Sequence, residues 1–150
     1  MIVYKFSNSK YGGDLTGTGA AMFGGRWNKK GCPVVYTGES KEIALLELIV
    51  HTPPALISNH EILMIDIPED SVEEIKKENL PRVWHKYPAP MVLSEIAQEW
   101  IQREETIALK VPSCIIHSAS NYILNCNHPE FYKVRLLGVE AFLLDARLGG

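Results

Sequence analysis

Short hydrophobic runs along the chain, separated by polar turns, predict several strands and a few helices. Runs of β-branched and aromatic residues four to eight positions long are typical of strands. Such runs predict strands at 2–6, 33–37, 61–67, 106–111, 114–117 and 140–146. Residues 7–25 are rich in Gly, Ser, Thr and Asn, which favours an irregular or ligand-facing segment. Residues 80–90 contain three prolines and read as a loop.

Three segments predict helices. Residues 39–51 have Ser40 as a candidate N-cap and end before Pro53 and Pro54. Residues 71–79 begin with Ser71 and Glu74, the spacing of a capping box. Residues 92–103 form the third helical pattern. Because strands and helices mix without regular βαβ alternation, the sequence predicts one α+β domain over 1–150, with helices flanking a mixed or antiparallel sheet.

Composition changes this picture by excluding classes of function. The chain has 150 residues and a formal net charge of -3, whereas sequence-independent nucleic-acid binding needs a basic patch. We therefore expect no direct nucleic-acid binding. The longest apolar runs contain charges and the N-terminus lacks signal-peptide features, so we expect neither a membrane span nor secretion. Three cysteines without framework spacing favour the reducing cytoplasm.

The stretch FGGRWNKKG, residues 23–31, is the first candidate for chemistry. Gly24 and Gly25 let the backbone turn tightly and approach a ligand. Arg26 offers a planar set of donors that suits carboxylate or phosphate. The alternative is a turn with an exposed arginine.

Glu47 is the second candidate, because it lies in IALLELIV, a helical segment that is apolar on nearly every side. A buried carboxylate is costly unless it is paired or hydrogen-bonded. His51 lies at i+4 and is a candidate partner. The alternative is a helix rotated so that Glu47 reaches solvent. Tyr36 ends the preceding strand and belongs either to the core edge or to a pocket mouth.

The third candidate is the segment 109–131, which interleaves polar and apolar residues. Ser113 follows a proline, and Asn121 and Asn125 alternate with large hydrophobic residues. Asparagines in such places are often structural. A zinc site is a competing function for this segment, with ligands from Cys114, His117, Cys126 and His128. The segment lacks the G-x-S-x-G elbow of a serine hydrolase, and no P-loop motif occurs in the chain.

Taken in order, these blocks resemble the RES domain family, named for an arginine, a glutamate and a serine. The blocks are GGRWN with G-x-P-V-V-Y-T, then S-x-x-x-A-L-L-E-L-I-V-H, then L-K-V-P-S with N-Y-I-L-N-x-x-H-P. The named residues are here Arg26, Glu47 and Ser113. The resemblance covers about residues 3–135. It departs where this chain has Cys126 after Asn125 and the family commonly has proline.

The resemblance implies a fold similar to that of ADP-ribosyltransferases, and a toxin of a type II toxin–antitoxin pair that consumes NAD as its substrate. For cleavage of NAD between nicotinamide and ribose, we expect Glu47 to stabilise positive charge on the ribose. We expect Arg26 to hold a phosphate and also to fix Glu47 as an anion. Tyr36 would pack on the nicotinamide or ribose. Ser113 would bind the ribose or carboxamide, or orient Glu47. Asn121 and Asn125 are further candidates for binding NAD, and no metal is expected.

The resemblance also implies partners and leaves the reaction partly open. The usual partner is an antitoxin with an Xre-type helix-turn-helix domain, and the toxin is expected to form a homo-oligomer within the complex. The acceptor of the ADP-ribosyl group is water, inorganic phosphate or a protein side chain. Two competing function classes are a catalytically silent binding module of the same fold and a zinc-dependent hydrolase.

Overall fold

A mixed seven-stranded sheet forms the centre of the molecule. The structure is a computed structural model that describes residues 1–11, 13–57 and 59–149. The strands are β1 Ile2–Asn8, β2 Val34–Gly38, β3 His60–Asp66, β4 Val72–Glu74, β5 Ala108–Pro112, β6 Ser120–Asn125 and β7 Arg135–Ala141. Their spatial order is β4-β5-β6-β2-β1-β3-β7, and every neighbouring pair is antiparallel except β4 and β5. The α+β class with a mixed sheet is confirmed.

In the residues that the structure describes, three α-helices accompany the sheet: α1 Thr18–Phe23, α2 Lys41–His51 and α3 Met91–Arg103. The predicted N-cap of α2 is confirmed, because the Ser40 side chain accepts a hydrogen bond from the Ile43 amide. Helix α2 packs against β1 and β2. Helix α3 buries one stripe, formed by Leu93, Ala97 and Trp100 at helical spacing.

Hydrophobic residues fill both faces of the sheet, because successive side chains of a strand point to opposite faces. Val34 belongs to one cluster, together with the buried stripe of α3 and with Trp27 and Trp84. Its neighbour Val35 belongs to a second cluster, with Leu63 and Ile65 from β3. A third, smaller cluster joins α2 to β1 and β3 through Ala44, Phe6 and Ile62.

Two predictions of local structure are wrong, and both fail because a different hydrogen bond replaces the expected one. Residues 71–79 do not form the predicted helix: Val72–Glu74 is a strand beside β5, and only Lys77–Asn79 forms a short 3-10 helix. The Ser71 hydroxyl accepts from the Ile107 amide at 2.8 Å. Residues 114–117 do not form a strand. The Ser113 hydroxyl accepts from the amides of Ile115 and Ile116 and folds this segment into a turn.

Three further elements differ from the predicted pattern. The segment 7–25, expected to be irregular, contains α1. Strand β6 is absent from the sequence prediction, because its asparagines weaken the strand pattern. Strand β7 runs from Arg135 to Ala141 rather than over 140–146. Its side chains are largely exposed, so the hydrophobic pattern marks it poorly.

Candidate functional site

A cavity of about 310 Å³ lies where β1 and β2 pair at a single position, Tyr4 with Gly38. Its walls come from β1, β2, α2, β6, the turn that carries Arg26, and the segment after β5. The lining includes the predicted residues Arg26, Tyr36, Glu47 and Asn121. The fold therefore brings together residues that are up to 95 positions apart in the sequence.

The Glu47 carboxylate is the acidic group of this cavity. Its Oε1 accepts a hydrogen bond of 2.9 Å from Asn121 Nδ2 and lies 3.5 Å from the Ser113 hydroxyl. Its Oε2 lies 3.6 Å from His51 Nε2, which confirms His51 as the neighbour at i+4. The Glu47 side chain is 26% exposed, so it is neither solvated freely nor closed off from the cavity.

The surroundings hold Glu47 as an anion. Burial disfavours its charged form and would raise the pKa. The contact with His51 at 3.6 Å, the hydrogen bond from Asn121 and the charge of Arg26 outweigh that effect and bring the pKa below the ordinary value of 4.5. Glu47 is therefore ionised at neutral pH, on a lining that is otherwise largely apolar.

Arg26 lies on a tight turn at the cavity wall. Gly24 has a φ of 72°, which favours glycine, and the amide of Gly25 donates to the carbonyl of Asn28 at 2.9 Å. The guanidinium of Arg26 donates to the main-chain carbonyls of Trp84 at 2.8 Å and Lys86 at 3.0 Å. Within the part of the chain that the structure describes, Arg26 makes no ion pair, so its charge is available to a ligand.

Tyr36 presents its ring to the cavity while its hydroxyl is held by the Arg26 turn. The hydroxyl accepts from the Trp27 amide at 3.1 Å and donates to Asn28 Oδ1. Burial raises the pKa of Tyr36 to about 12, although hydrogen bonds and the charge of Arg26 oppose the rise. The phenol therefore stays protonated at neutral pH.

Ser113 and Asn125 lie outside the cavity lining. Ser113 is 1% exposed and stands behind Glu47, with its hydroxyl also accepting from two amides of the following turn. Of the roles considered for Ser113, the geometry favours orienting Glu47. Asn125 is equally buried, and its Oδ1 accepts from the Asn127 amide at 3.0 Å. That contact closes a turn, and Asn125 is not among the residues that line the cavity.

The four residues of the candidate zinc site are spread over separate surroundings. Cys114 lines the cavity, whereas Cys126 packs against the opposite face of the sheet. The His117 ring packs on Trp84 and His85, and His128 Nδ1 accepts from the Glu130 amide. Across residues 1–11, 13–57 and 59–149, no group of three or more His, Cys, Asp or Glu is arranged to hold a metal ion.

Sequence reasoning missed several parts of this site. Strand β1 contributes Tyr4, Lys5 and Phe6 to the lining, and burial lowers the pKa of Lys5 against the opposing charge of Asp14. The two carbonyls that hold Arg26 belong to a loop about 60 positions away. Main-chain acceptors leave no trace in the residue types, so no signal in the sequence could have identified them. A basic residue in the middle of the apolar strand at 2–6 was a signal that could have identified Lys5.

Comparisons with known proteins show the family to which the chain belongs. The family model of the RES domain matches residues 3–145. A protein named Toxin Res from Photorhabdus laumondii is 37% identical over 99% of this chain and 97% of its own length. The Prs ADP-ribosylating toxin of a Sphingobium species is 34% identical over 90% of this chain and 86% of its own.

A solved structure shows the same fold. In the M. tuberculosis MbcT–MbcA toxin–antitoxin complex, one chain matches with a TM-score of 0.75 and 16% identity. The match covers 98% of this chain and 86% of that one. The cavity is lined both by the Glu47 carboxylate and by Arg26. The chain belongs to the RES domain family and is a toxin of that family.

One general feature concerns membranes. Across the helices that the structure describes, none combines the length and the apolar character needed to cross a bilayer.

Proposed function

We propose that this toxin binds NAD in the cavity and cleaves the bond between nicotinamide and ribose. The observation that carries the proposal is the pair of opposite charges on one small cavity: a carboxylate held ionised and an arginine without a carboxylate partner among the described residues. NAD supplies the complement to both, a pyrophosphate for the cation and a glycosidic carbon that becomes positive for the anion.

Glu47 acts on the ribose in this mechanism. As the bond between the ribose C1 and the nicotinamide nitrogen breaks, its electron pair stays with nicotinamide, which leaves as a neutral molecule. Positive charge then grows on the ribose, as in glycoside cleavage. An anion already fixed by Asn121 and His51 stabilises this charge without having to reorganise. An acceptor oxygen finally bonds to C1 and loses its proton.

Arg26 acts on the phosphates. A guanidinium has five N–H donors, and the two carbonyl contacts leave several of them unused. Charge-assisted hydrogen bonds to phosphate are among the strongest that proteins make. Arg26 therefore contributes mainly to binding NAD, whereas Glu47 contributes mainly to the chemical step.

The acceptor is tested by incubating the purified chain with NAD, with and without inorganic phosphate, and separating the products by chromatography. Hydrolysis gives nicotinamide and ADP-ribose, and phosphorolysis gives a phosphorylated ADP-ribose that depends on added phosphate. NAD that survives both conditions, and also survives with a cell extract, would leave a silent binding module as the better proposal.

Transfer to a protein is the second candidate function. It is favoured by the relative whose name describes it as an ADP-ribosylating toxin. In this case NAD is consumed only when a cell extract supplies the acceptor. A labelled adenine then appears on a protein band, which hydrolysis and phosphorolysis do not produce.

We also propose that residues 1–150 work as one domain whose partner is an antitoxin with an Xre-type helix-turn-helix domain, and that the complex contains more than one toxin chain. The related fold in a toxin–antitoxin complex supports the partner. A net charge of -3 leaves DNA binding to the antitoxin. We propose a cytoplasmic location, where NAD is available. Co-expression followed by light scattering gives the stoichiometry, and a purely monomeric toxin in the complex would contradict the homo-oligomer.

A further inference from the structure

The turn that carries Arg26 is closed by its own main chain. The amide of Gly25 donates to the carbonyl of Asn28 at 2.9 Å, and the reverse hydrogen bond measures 3.4 Å. Arg26 and Trp27 form the tip of this turn. The direction in which the Arg26 guanidinium points therefore depends on how the whole turn is fixed to the sheet.

Asn28 fixes the base of the turn from inside the protein. It is 2% exposed, and its Nδ2 donates to the carbonyls of Ala20, Lys29 and Cys32 at 2.8, 3.3 and 3.1 Å. Its Oδ1 accepts a hydrogen bond from the Tyr36 hydroxyl. One side chain thus joins α1, the turn and the approach to β2.

The Tyr36 hydroxyl has no proton left for a ligand. A phenol can donate one hydrogen bond, and the Tyr36 hydroxyl donates it to Asn28. Its oxygen accepts a hydrogen bond from the Trp27 amide. The backbone of the turn also lies against this oxygen, because a Cβ added at Gly25 would come within 2.8 Å of it. The turn therefore covers the hydroxyl, while the ring lines the cavity.

We propose that the Tyr36 hydroxyl and Asn28 are positioning residues that set the direction of Arg26, and that the hydroxyl itself does not contact the substrate. The two contacts on the Tyr36 oxygen come from Trp27 at the tip and Asn28 at the base, so they hold the turn against β2. The consequence for affinity rests on the proposed function, in which Arg26 binds the phosphates of NAD. The geometric part of the proposal does not.

The first test measures NAD binding in proteins that do not turn NAD over. In a Glu47→Gln background, calorimetry gives the affinity with and without Tyr36→Phe, and with and without Arg26→Gln. Tyr36→Phe removes the positioning hydrogen bonds and is expected to weaken NAD binding about tenfold in the protein that keeps Arg26. In the protein that carries Arg26→Gln, Tyr36→Phe is expected to weaken NAD binding less than about twofold. Equal losses in both backgrounds would mean that Tyr36 acts on NAD independently of Arg26, and would overturn the proposal.

The second test does not depend on NAD. Side-chain NMR of the wild-type protein is expected to show distinct guanidinium signals for Arg26, because two carbonyls hold it in place. In Tyr36→Phe these signals should broaden or collapse. Unchanged Arg26 signals in that variant would overturn the proposal. If the protein bound no NAD in any background, that result would count against the proposed function alone. The NMR result would still decide whether Tyr36 and Asn28 position Arg26.

A matched control separates positioning from general loss of stability. Thr106→Val removes two other part-buried hydrogen bonds, from Trp100 Nε1 to the Thr106 hydroxyl at 2.8 Å and from that hydroxyl to the carbonyl of Ala108 at 3.3 Å. It is expected to lower the melting temperature as Tyr36→Phe does, with no change in the Arg26 signals or the NAD affinity. If Thr106→Val changed the Arg26 signals equally, the effect of Tyr36→Phe would be general destabilisation and the proposal would fail.

Discussion

Glu47 and Arg26 line the same cavity and are held there by different kinds of contact. Side chains surround Glu47: Asn121 donates to it from β6, and Ser113 and His51 lie within 3.6 Å. The Arg26 guanidinium instead contacts two main-chain carbonyls of one loop, and its turn is closed by backbone hydrogen bonds and fixed to β2 by Asn28 and Tyr36. The contacts around Glu47 set the pKa of its carboxyl, whereas the contacts around Arg26 set the direction in which its guanidinium points. This difference predicts that changes on the two sides will have different kinetic signatures.

The largest expected effect is that of Glu47→Gln. This change keeps the shape and the hydrogen bond from Asn121 but removes the negative charge that, in the proposed mechanism, stabilises the ribose cation. We expect kcat to fall about 10³-fold, with KM little changed, because loss of one preorganised electrostatic contact has effects of this size. Steady-state kinetics with NAD measures it, and a melting curve checks the fold. A folded variant with near-normal kcat would remove Glu47 from the mechanism.

Arg26→Gln is expected to act mainly on binding. Losing charge-assisted hydrogen bonds to phosphate costs about 2 kcal/mol, which corresponds to a rise in KM of about 30-fold. Arg26→Lys should rescue little, since one ammonium does not reproduce the planar contacts with the carbonyls of Trp84 and Lys86. A selective loss of kcat at unchanged KM would show that Arg26 acts on the transition state instead.

Asn121→Leu tests how the charge on Glu47 is maintained. It removes the 2.9 Å hydrogen bond to the carboxylate, and the buried Oδ1 that is lost has no hydrogen-bond partner among the described residues. The pKa of Glu47 should rise from its lowered position. Because the proposed reaction needs the Glu47 anion, the acid limb of the pH–rate profile should lie at higher pH in this variant than in the wild type.

The same shift has a consequence for stability. A carboxyl with a lowered pKa stabilises the folded state above its unfolded pKa, and this contribution is lost as the pH falls through the folded pKa. Asn121→Leu should therefore reduce the free energy of unfolding more at a pH above 4.5 than at a pH well below 4.5, where the Glu47 carboxyl is protonated. Urea titrations at the two pH values measure this, and an equal loss at both would contradict the coupling.

His51→Gln is expected to have the smallest effect. The His51 side chain is 63% exposed, and its Nε2 is 3.6 Å from the carboxylate, so solvent screens the interaction. We expect less than about a threefold change in kcat/KM, measured at neutral pH. A much larger loss would assign His51 a direct part in the reaction, which its exposed position does not suggest.

The Glu47 side of the cavity, where side chains make the contacts, could largely be predicted from the sequence. Glu47 stands out because a carboxylate interrupts an apolar helix, and both its partner at i+4 and the N-cap Ser40 follow from local spacing. Strand β2 and helix α2 are predictable for the same reason: each is stabilised by contacts whose periodicity is visible in the residues.

The Arg26 side of the cavity and the segment at Ser71 depend on contacts that cannot be inferred from the residue types. The carbonyls of Trp84 and Lys86 are equivalent to those of any other residue, so their role towards Arg26 is invisible in the sequence. Ser71 looks like a helix cap, and it does accept an amide hydrogen bond, but from Ile107 on another segment. The sequence places Tyr36 at a pocket mouth or the core edge, yet the use of its hydroxyl depends on where the Arg26 turn folds back.

The most direct test of the central claim is to count the nicotinamide released for each NAD consumed by the purified toxin, using chromatography with mass detection. We predict one nicotinamide per NAD, whichever acceptor takes the ADP-ribosyl group. Consumption of NAD without free nicotinamide, for example with AMP and nicotinamide mononucleotide as products, would place the reaction at the pyrophosphate. That result would contradict the role of Glu47 at the ribose and with it the proposed mechanism.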